Sequence, residues 1–187
     1  MSSKKYNIIY ADPPWRYDFS CSRAREIERH YETMTLPDIC ALPIKALTAP
    51  DATLFLWATW PKLEQAMKVI PDWGFTYKTV GFVWVKEYRD GSPVLGMGYW
   101  ARSNTEFCLF ATKGKPQRAD SNVSQLVFAL LGEHSAKPPE VRDRIVQLMG
   151  DLPRIELFAR QPEPTLFGDT MAGWDVWGNE VESDIEL

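Results

Sequence analysis

The sequence predicts a single α/β domain in which a largely buried sheet carries helices on both faces. Short apolar runs rich in β-branched and aromatic residues alternate with segments of helical spacing, which is typical of such sheets. The 187 residues are 45% hydrophobic and 25% charged, the composition of one compact domain. We expect this domain to span residues 1–180 and an acidic tail to occupy residues 181–187.

The first predicted strand stops at a turn rich in proline. Residues 6–11 form a short apolar run, and Asp12-Pro13-Pro14 ends it because proline has no backbone N–H to donate. Ligands of α/β folds usually bind outside the carboxyl ends of the strands, so Asp12 is expected near a ligand. Residues 16–34 lack periodicity and are predicted to form a loop.

The middle of the chain alternates predicted helices and strands. Thr35 followed by Asp38 is a capping signal that begins a helix near residues 36–47. Pro61 opens a second helix, which Gly74 closes as a C-terminal cap. Strands are predicted from the apolar runs at residues 52–58, 75–86, 105–112 and 125–130.

In the last third of the chain, the sequence pattern predicts one helix and two strands. Pro138-Pro139 begins the helix, which runs to about Met149. Residues 154–159 and 173–177 are the final predicted strands. No internal repeat or low-complexity segment interrupts this pattern, so a single domain is the simplest interpretation.

Charge is distributed unevenly along the chain. The formal net charge is −4, but the segment from Glu163 onward contains seven acidic residues and no Lys or Arg. Residues 1–162 therefore hold 21 basic and 18 acidic residues. A weakly basic body with an acidic end permits nucleic-acid binding without demonstrating it, because affinity follows local clusters.

The cysteine and histidine content argues against structural disulfides and metals. The three cysteines show no Cys-x-x-Cys spacing and the chain has two histidines, so we expect no metal site. The sequence has no apolar run of signal-peptide length and no uncharged stretch near the roughly 20 residues of a membrane span. We therefore expect a cytoplasmic protein without a membrane partner.

The tetrapeptide Asp12-Pro13-Pro14-Trp15 is the most specific motif of the sequence. An exocyclic amine on a nucleobase is a poor nucleophile, because its lone pair is delocalised into the ring. Asp12 and a backbone carbonyl of the turn offer acceptors for the two N–H groups, and the prolines keep that carbonyl aimed. Trp15 is expected to offer a face for stacking. The alternative interpretation is a stiff turn with a core tryptophan.

This motif is the signature of a family that the sequence resembles, the S-adenosylmethionine-dependent methyltransferases of the mRNA N6-adenine (m6A) writer type. The resemblance is to their DNA-acting bacterial and viral branch in particular. Further blocks follow in the family's order between residues 6 and 180, so the resemblance covers almost the whole chain. They are Gly98-Tyr99-Trp100, Asn104-Thr105-Glu106, Lys113-Gly114-Lys115-Pro116, Ser135-Ala136-Lys137-Pro138, Glu156 to Arg160, Gly173-Trp174 and Gly178-Asn179-Glu180.

The resemblance implies a Rossmann-like class I methyltransferase sheet in permuted order, with the catalytic strand before the strand that binds the cofactor. That order accounts for the absence of a G-x-G-x-x-G motif. The implied cofactor is S-adenosylmethionine, and the implied catalytic residues are Asp12, Pro13, Pro14 and Trp15. The implied cofactor contacts are Asp12, Lys137, Glu156, Phe158, Arg160, Asn179 and Glu180.

The sequence departs from the family pattern at two points near its end. Residues 161–172 replace what is often a short polar stretch before Gly173-Trp174. Glu180 stands where many relatives have glutamine, and a carboxylate accepts hydrogen bonds but does not donate them. The domain is also close to the minimal length for this fold, without room for a separate target-recognition domain.

Two groups of residues are candidates for nucleic-acid contact. The segment 16–34 mixes arginines with aromatic residues, which suits phosphates and bases, and its candidates are Arg16, Tyr17 and Tyr31. A solvated loop is the alternative interpretation of this segment. The second group, which we favour for the nucleic-acid backbone, is Arg102, Lys113, Lys115 and Arg118.

These observations predict an enzyme that transfers a methyl group from S-adenosylmethionine to the N6 amine of adenine in DNA, with base flipping into a pocket beside Asp12. Two other substrates stay open, adenosine in RNA and the N4 amine of cytosine. The alternative of another class is a non-catalytic subunit that binds nucleic acid. The protein partners considered are a second copy of the chain and a sister subunit.

Overall fold

The computed structural model describes residues 4–17, 33–96, 98, 100–132, 136–160 and 171–187. Within them a seven-stranded sheet has the order β5-β3-β4-β2-β1-β6-β7. The strands are β1 (Tyr6–Ala11), β2 (Thr48–Ala58), β3 (Thr76–Glu87), β4 (Thr105–Lys113), β5 (Leu126–Leu130), β6 (Arg154–Leu157) and β7 (Asp175–Trp177).

Six of these strands run in one direction and β4 runs against them. β1 pairs in parallel with β2 on one side and with β6 on the other, and β6 pairs in parallel with β7. β4 is antiparallel to both of its neighbours, β2 and β3, while β5 is parallel to β3. The six parallel strands therefore finish at one end of the sheet, here called its carboxyl end, and β4 begins there.

Helices cover both faces of the sheet, as the sequence predicts. The helices are α1 (Leu36–Ala41), α2 (Ile44–Leu47), α3 (Leu63–Asp72) and α4 (Glu140–Met149), and a single 3-10 turn (Trp60–Lys62) precedes α3. The first three pack on one face through residues such as Ile39, Ile44 and Val69. α4 packs on the other face through Val141 and Ile145. No helix in the described ranges is long and apolar enough to cross a membrane.

Local signals account for most of the helix ends. Thr35 caps α1, and its side chain accepts a hydrogen bond from the backbone N–H of Asp38. Gly74 follows α3 with a φ of 85°, the left-handed conformation expected of a C-terminal glycine. The predicted single helix over residues 36–47 is wrong, because it breaks between α1 and α2 at Pro43. Proline cannot donate the backbone hydrogen bond that a continuous helix needs at that position.

The last seven residues pack against the domain. The backbone N–H of Asp184 donates to the carbonyl of Val176 at 2.9 Å, and its carboxylate accepts from the N–H of Val176 at 2.8 Å. Ile185 is only 8% exposed and belongs to the core on the α1–α3 face. The segment predicted as an acidic tail thus contacts β7 through Asp184 and the core through Ile185.

Candidate active site

Asp12 lies at the carboxyl end of the sheet, directly after β1. Its backbone N–H points to the carbonyl of Leu157, the last residue of β6, at 3.5 Å. In the turn that follows, the N–H of Trp15 donates to the carbonyl of Pro13 at 2.8 Å. The N–H of Met34 donates to the carbonyl of Pro14 at 2.9 Å. These bonds hold the turn in one shape, so the predicted catalytic residues are brought together.

Trp15 differs from its prediction. Its indole is only 6% exposed and forms part of the core on the α1–α3 face. Its Nε1 donates a hydrogen bond to the carbonyl of Trp57, in β2, at 3.1 Å. The expected stacking face is therefore not accessible, because tertiary packing has drawn the ring into the core. Trp15 fastens the catalytic turn to β2.

Four alternating charges extend from Asp12 into the sheet. Lys137 Nζ lies 2.7 Å from Asp12 Oδ2 and 3.3 Å from Glu106 Oε2. The other oxygen of Glu106, near the start of β4, accepts a hydrogen bond from Lys86, near the end of β3. We call Lys86, Glu106, Lys137 and Asp12 the charge chain. Two cations alternate with two anions, so each buried charge has an opposite neighbour.

In the charge chain, burial and ion pairing shift the pKa values in opposite directions. The Lys137 side chain is 11% exposed, and burial would lower its pKa, but Asp12 and Glu106 raise that pKa above its ordinary value. Burial would likewise raise the pKa of Glu106, yet Lys137 and Lys86 hold it below the usual range. Both groups are therefore charged at neutral pH, which gives the site a fixed ammonium beside the Asp12 carboxylate.

A second buried ion pair lies behind the site, between α4 and β6. Arg142 Nε donates to Glu156 Oε2 at 2.5 Å, and a second guanidinium nitrogen donates to Glu156 Oε1 at 2.8 Å. Burial raises the pKa of Glu156, which Arg142 opposes. Glu156 lies within β6 and not beyond its end, so in this structure it serves to pair Arg142. Its contact with the cofactor stays a prediction.

The chain bends sharply where β6 and β7 end. Phe158 follows β6 with a φ of 60°, a left-handed conformation that is uncommon for aromatic residues and that occurs at functional sites. Its ring packs edge-on against Trp177, with 5.3 Å between the centroids. A Cβ on Gly178 would lie 2.5 Å from the carbonyl oxygen of Ala159, so the two backbones approach too closely for any side chain there.

The remaining predicted cofactor residues lie at this same end. Arg160 and Glu180 form an isolated parallel bridge, and Arg160 Nε is 3.9 Å from Glu180 Oε1. Asn179 is exposed beside them. Because β6 and β7 end where β1 ends, this end of the sheet holds Phe158, Arg160, Asn179 and Glu180 as well as Asp12.

This donor set fits S-adenosylmethionine. The Lys137 ammonium suits the carboxylate of the methionine part of the cofactor, and the Asp12 carboxylate suits its amino group. Glu180, half exposed, can accept hydrogen bonds from ribose hydroxyls. The chemistry of these groups therefore suits the methionine part and the ribose of the predicted cofactor.

The structure separates the predicted nucleic-acid residues. Arg16 is exposed and Tyr17 is half-buried, and both follow the catalytic turn at the carboxyl end of the sheet. Arg102, also exposed, precedes β4 at that end. Tyr31 lies outside the described residues.

The grouping of Lys113 and Lys115 with Arg102 is wrong. β4 runs against the other strands, so Lys113, its last residue, lies at the opposite end of the sheet. Nine strand residues span about 27 Å. Lys115 follows in a turn held by Asp51, whose carboxylate accepts from the Lys115 backbone N–H at 2.7 Å.

Lys86, Glu106 and Arg142 were not predicted as site residues. A signal existed for Glu106, which places a charge in the otherwise apolar run of residues 105–111, but not for Lys86, which stands beside Glu87 at the end of its strand. A charge at such a position is seldom buried without a partner. Arg142 had no comparable signal, since a helix commonly carries arginine on its surface.

The fold and the site define an S-adenosylmethionine-dependent methyltransferase. The MT-A70 family model matches residues 6–180, and the chain belongs to this family. Its members include methyltransferases that act on the N6 position of adenosine.

The relatives match this chain over different shares of their own length. The type II methyltransferase M.MunI of a Mycoplasma species is 37% identical over 204 residues, which cover 98% of this chain and 82% of the relative. The human N(6)-adenosine-methyltransferase catalytic subunit METTL3 is 28% identical over 185 residues, 95% of this chain and 28% of that protein. An Arabidopsis thaliana N(6)-adenosine-methyltransferase, MT-A70-like, is 28% identical, over 94% of this chain and 24% of its own length.

Proposed function

We propose that this enzyme transfers a methyl group to the N6 amine of adenine in DNA. The observation that supports this proposal is the position of Asp12. It follows β1 beside the end of β6, and its Oδ2 lies 2.7 Å from Lys137 Nζ. The preference for DNA over RNA rests on the motifs of the bacterial branch and on the match to M.MunI. That match covers 82% of the length of M.MunI. The matches to the adenosine methyltransferases cover only about a quarter of the length of those proteins.

Asp12 acts on the amine by accepting one of its N–H groups. The carbonyl of Pro13 is the second acceptor, because it has a lone pair besides the one directed to the N–H of Trp15. Two fixed acceptors favour a tetrahedral nitrogen whose lone pair is free to react. The turn is held before substrate arrives, so little reorganisation is needed.

Lys137 keeps the Asp12 carboxylate in position and offers a cation to the methionine part of the cofactor. S-adenosylmethionine, when bound, supplies an electrophilic methyl group. The methylated nitrogen is strongly acidic, and its proton passes to Asp12 or to water. This chemistry requires no histidine base, in agreement with a site built from carboxylates and lysines.

The test is transfer of labelled methyl from S-adenosylmethionine to single-stranded DNA, double-stranded DNA and RNA, with nucleoside analysis of the product. We expect N6-methyladenine in DNA from the wild type and a fall of at least about 10²-fold in Asp12→Ala, since a fixed polar contact to the reacting group is worth this much. Glu64→Gln, an exposed carboxylate on α3, is the control and should leave transfer unchanged.

Each other result assigns a different function. Product in RNA alone replaces the DNA substrate, and N4-methylcytosine replaces adenine. Transfer by Asp12→Ala at the wild-type rate contradicts the catalytic assignment. Cofactor binding without transfer to any substrate supports the non-catalytic subunit instead.

A further inference from the structure

The indole of Trp60 is firmly held and yet half exposed. Its Nε1 donates a hydrogen bond to Thr105 Oγ1 at 2.9 Å. Its ring lies 4.6 Å from that of Phe107, which is fully buried, at an interplanar angle of 53°. The side chain is nevertheless 50% exposed. A large aromatic ring that is fixed in orientation and open to solvent is suited to contact a ligand.

Trp60 stands in the wall of the proposed active site. It comes two residues after β2, whose carboxyl end adjoins that of β1. Thr59, the residue before it, has its Oγ1 2.5 Å from the hydroxyl of Tyr17. On its other side, Thr105 immediately precedes Glu106 of the charge chain. Hydrogen bonds thus connect Trp60 to the start of β4 and its neighbour Thr59 to the segment after the catalytic turn.

The turn that carries Trp60 packs on the segment after the catalytic turn. Lys62, a buried residue of the same 3-10 turn, lies 4.7 Å from the centroid of the Tyr17 ring and donates a hydrogen bond to the backbone carbonyl of Arg16. The side chain of Arg16 is exposed. Proteins hold unpaired strands by stacking their bases on exposed aromatic rings and by meeting their phosphates with exposed cations.

We propose that Trp60 is the surface on which an unpaired nucleobase of the substrate strand stacks next to Asp12. This inference rests on the proposed function and adds to it a residue that recognises the base. It also accounts for the burial of Trp15, because the stacking surface expected of Trp15 is supplied by an indole from the end of β2. The shared chemistry is an unpaired base, from DNA or from RNA.

The same indole begins a short apolar stripe on α3. Leu63 and Met67 are 38% and 37% exposed and lie three and seven residues after Trp60. A protein partner would cover all three. The base is favoured because hydrogen bonds join Trp60 to Thr105 and its neighbour Thr59 to Tyr17, at the carboxyl end of the sheet, whereas Leu63 and Met67 lie farther along on the helix.

The experiment measures binding of the full chain to three 12-nucleotide strands by fluorescence anisotropy. The strands are oligodeoxyadenosine, oligoadenosine RNA and an abasic deoxyribose strand of equal charge. Trp60→Ala should lower affinity for a base-bearing strand by about tenfold and leave the abasic strand unaffected, as alanine substitution does at stacking sites. Loss on the DNA strand, the RNA strand or both identifies the source of the base.

Three further variants make the test specific. Trp60→Phe keeps a ring and should retain most of the affinity, and Thr105→Val removes the acceptor of the indole N–H and should give an intermediate loss. Tyr77→Ala is the matched control, because Tyr77 is an exposed aromatic near the start of β3, at the opposite end of the sheet. Circular dichroism establishes that each variant is folded. If Trp60→Ala does not fold, Trp60→Phe and Thr105→Val decide.

Several results would overturn the inference. They are unchanged affinity in Trp60→Ala, an equal loss on the abasic strand, and no binding of any strand by the wild type. If Trp60→Ala has a smaller sedimentation coefficient than the wild type and its strand binding is unchanged, the indole belongs to a protein interface. The proposed function fails separately, if the wild type transfers no methyl group while Trp60-dependent binding to bases persists. Conversely, Asp12→Ala should lose transfer and keep that binding.

Discussion

Lys137 Nζ lies 2.7 Å from Asp12 Oδ2, although 125 residues separate the two in the chain. Glu106, at 3.3 Å, shares the same ammonium. Lys137 therefore keeps a counter-ion when Asp12 turns toward an amine, so releasing the catalytic carboxylate leaves no cation without a partner.

Replacing this shared cation should disable the site. In Lys137→Met, Asp12 and Glu106 lose the charge between them, and breaking a buried ion pair costs about 3–5 kcal/mol. We expect a clear fall in the denaturant midpoint and in methyl transfer, with partial recovery of both in Lys137→Arg. Lys68→Met removes an exposed lysine of α3 and should change neither. Equal stability of Lys137→Met and wild type would contradict the role of the charge chain.

Glu106 should make the protein sensitive to acid. Its folded pKa is below the ordinary value, so the unfolded chain binds more protons and stability rises with pH. This contribution is present above about pH 4.5 and is lost as the pH falls through the folded pKa. In Glu106→Gln the group no longer titrates. Urea unfolding at pH 6 and pH 3.5 gives the free energy of unfolding of the wild type and of Glu106→Gln. The difference between the two proteins should be smaller at pH 3.5. A difference that does not change with pH would contradict the lowered pKa of Glu106.

The Arg142–Glu156 pair should show strong coupling. Arg142→Met leaves the Glu156 carboxylate buried and unpaired, at a cost of about 3–5 kcal/mol. Adding Glu156→Leu should restore much of that loss, because the second charge is removed. The exposed pair Lys68 and Glu64 on α3 is the control, with an expected coupling of less than about 1 kcal/mol. The measurement is a double-mutant cycle in denaturant, and additive losses would argue against a buried pair.

Trp15 should act through stability and through the catalytic turn. Trp15→Phe keeps a buried ring but leaves the carbonyl of Trp57 without its donor, which costs about 1–3 kcal/mol. Trp15→Ala removes the ring and should cost about 3–5 kcal/mol. Denaturant unfolding gives both values. In folded Trp15→Phe, the affinity for a base-bearing strand divided by that for the abasic strand should equal the wild-type ratio. A smaller ratio would show that a base stacks on Trp15.

The end of the chain should contribute to stability. Ile185→Ala removes apolar contacts from a nearly buried site, at a cost of about 2–4 kcal/mol. For a chain of this size that lowers the melting temperature by roughly 4–16 °C. Glu186→Gln alters an exposed neighbour and should leave the melting temperature within about 1 °C. An unchanged melting temperature in Ile185→Ala would show that this segment packs without stabilising the domain.

Local signals in the sequence predict the elements that depend on a few neighbouring residues. The cap at Thr35, the glycine after α3 and the turn after β1 need nothing beyond their own segments, and all three are confirmed. The break at Pro43 was available from the sequence on the same grounds.

Features that depend on strand pairing were beyond such reasoning. Apolar periodicity gives a strand no direction, so nothing in residues 105–113 showed that β4 runs against its neighbours. That direction separates Lys113 from Arg102 and brings Glu106 to the site. Burial of Trp15 likewise depends on which surface of the fold receives the ring, and the charge chain unites residues from two strands, the turn after β1 and a distant segment.

The pairing of β1 with β6 has a consequence for biosynthesis. β1 pairs with β6 only after residues 154–157 have emerged from the ribosome, since Ile9 pairs with Ile155 and Ala11 with Leu157. At about 5–20 residues per second, the catalytic turn waits roughly 7–30 seconds for the strand beside it. The nascent chain therefore carries the Asp-Pro-Pro-Trp segment without a complete site until β6 has been made.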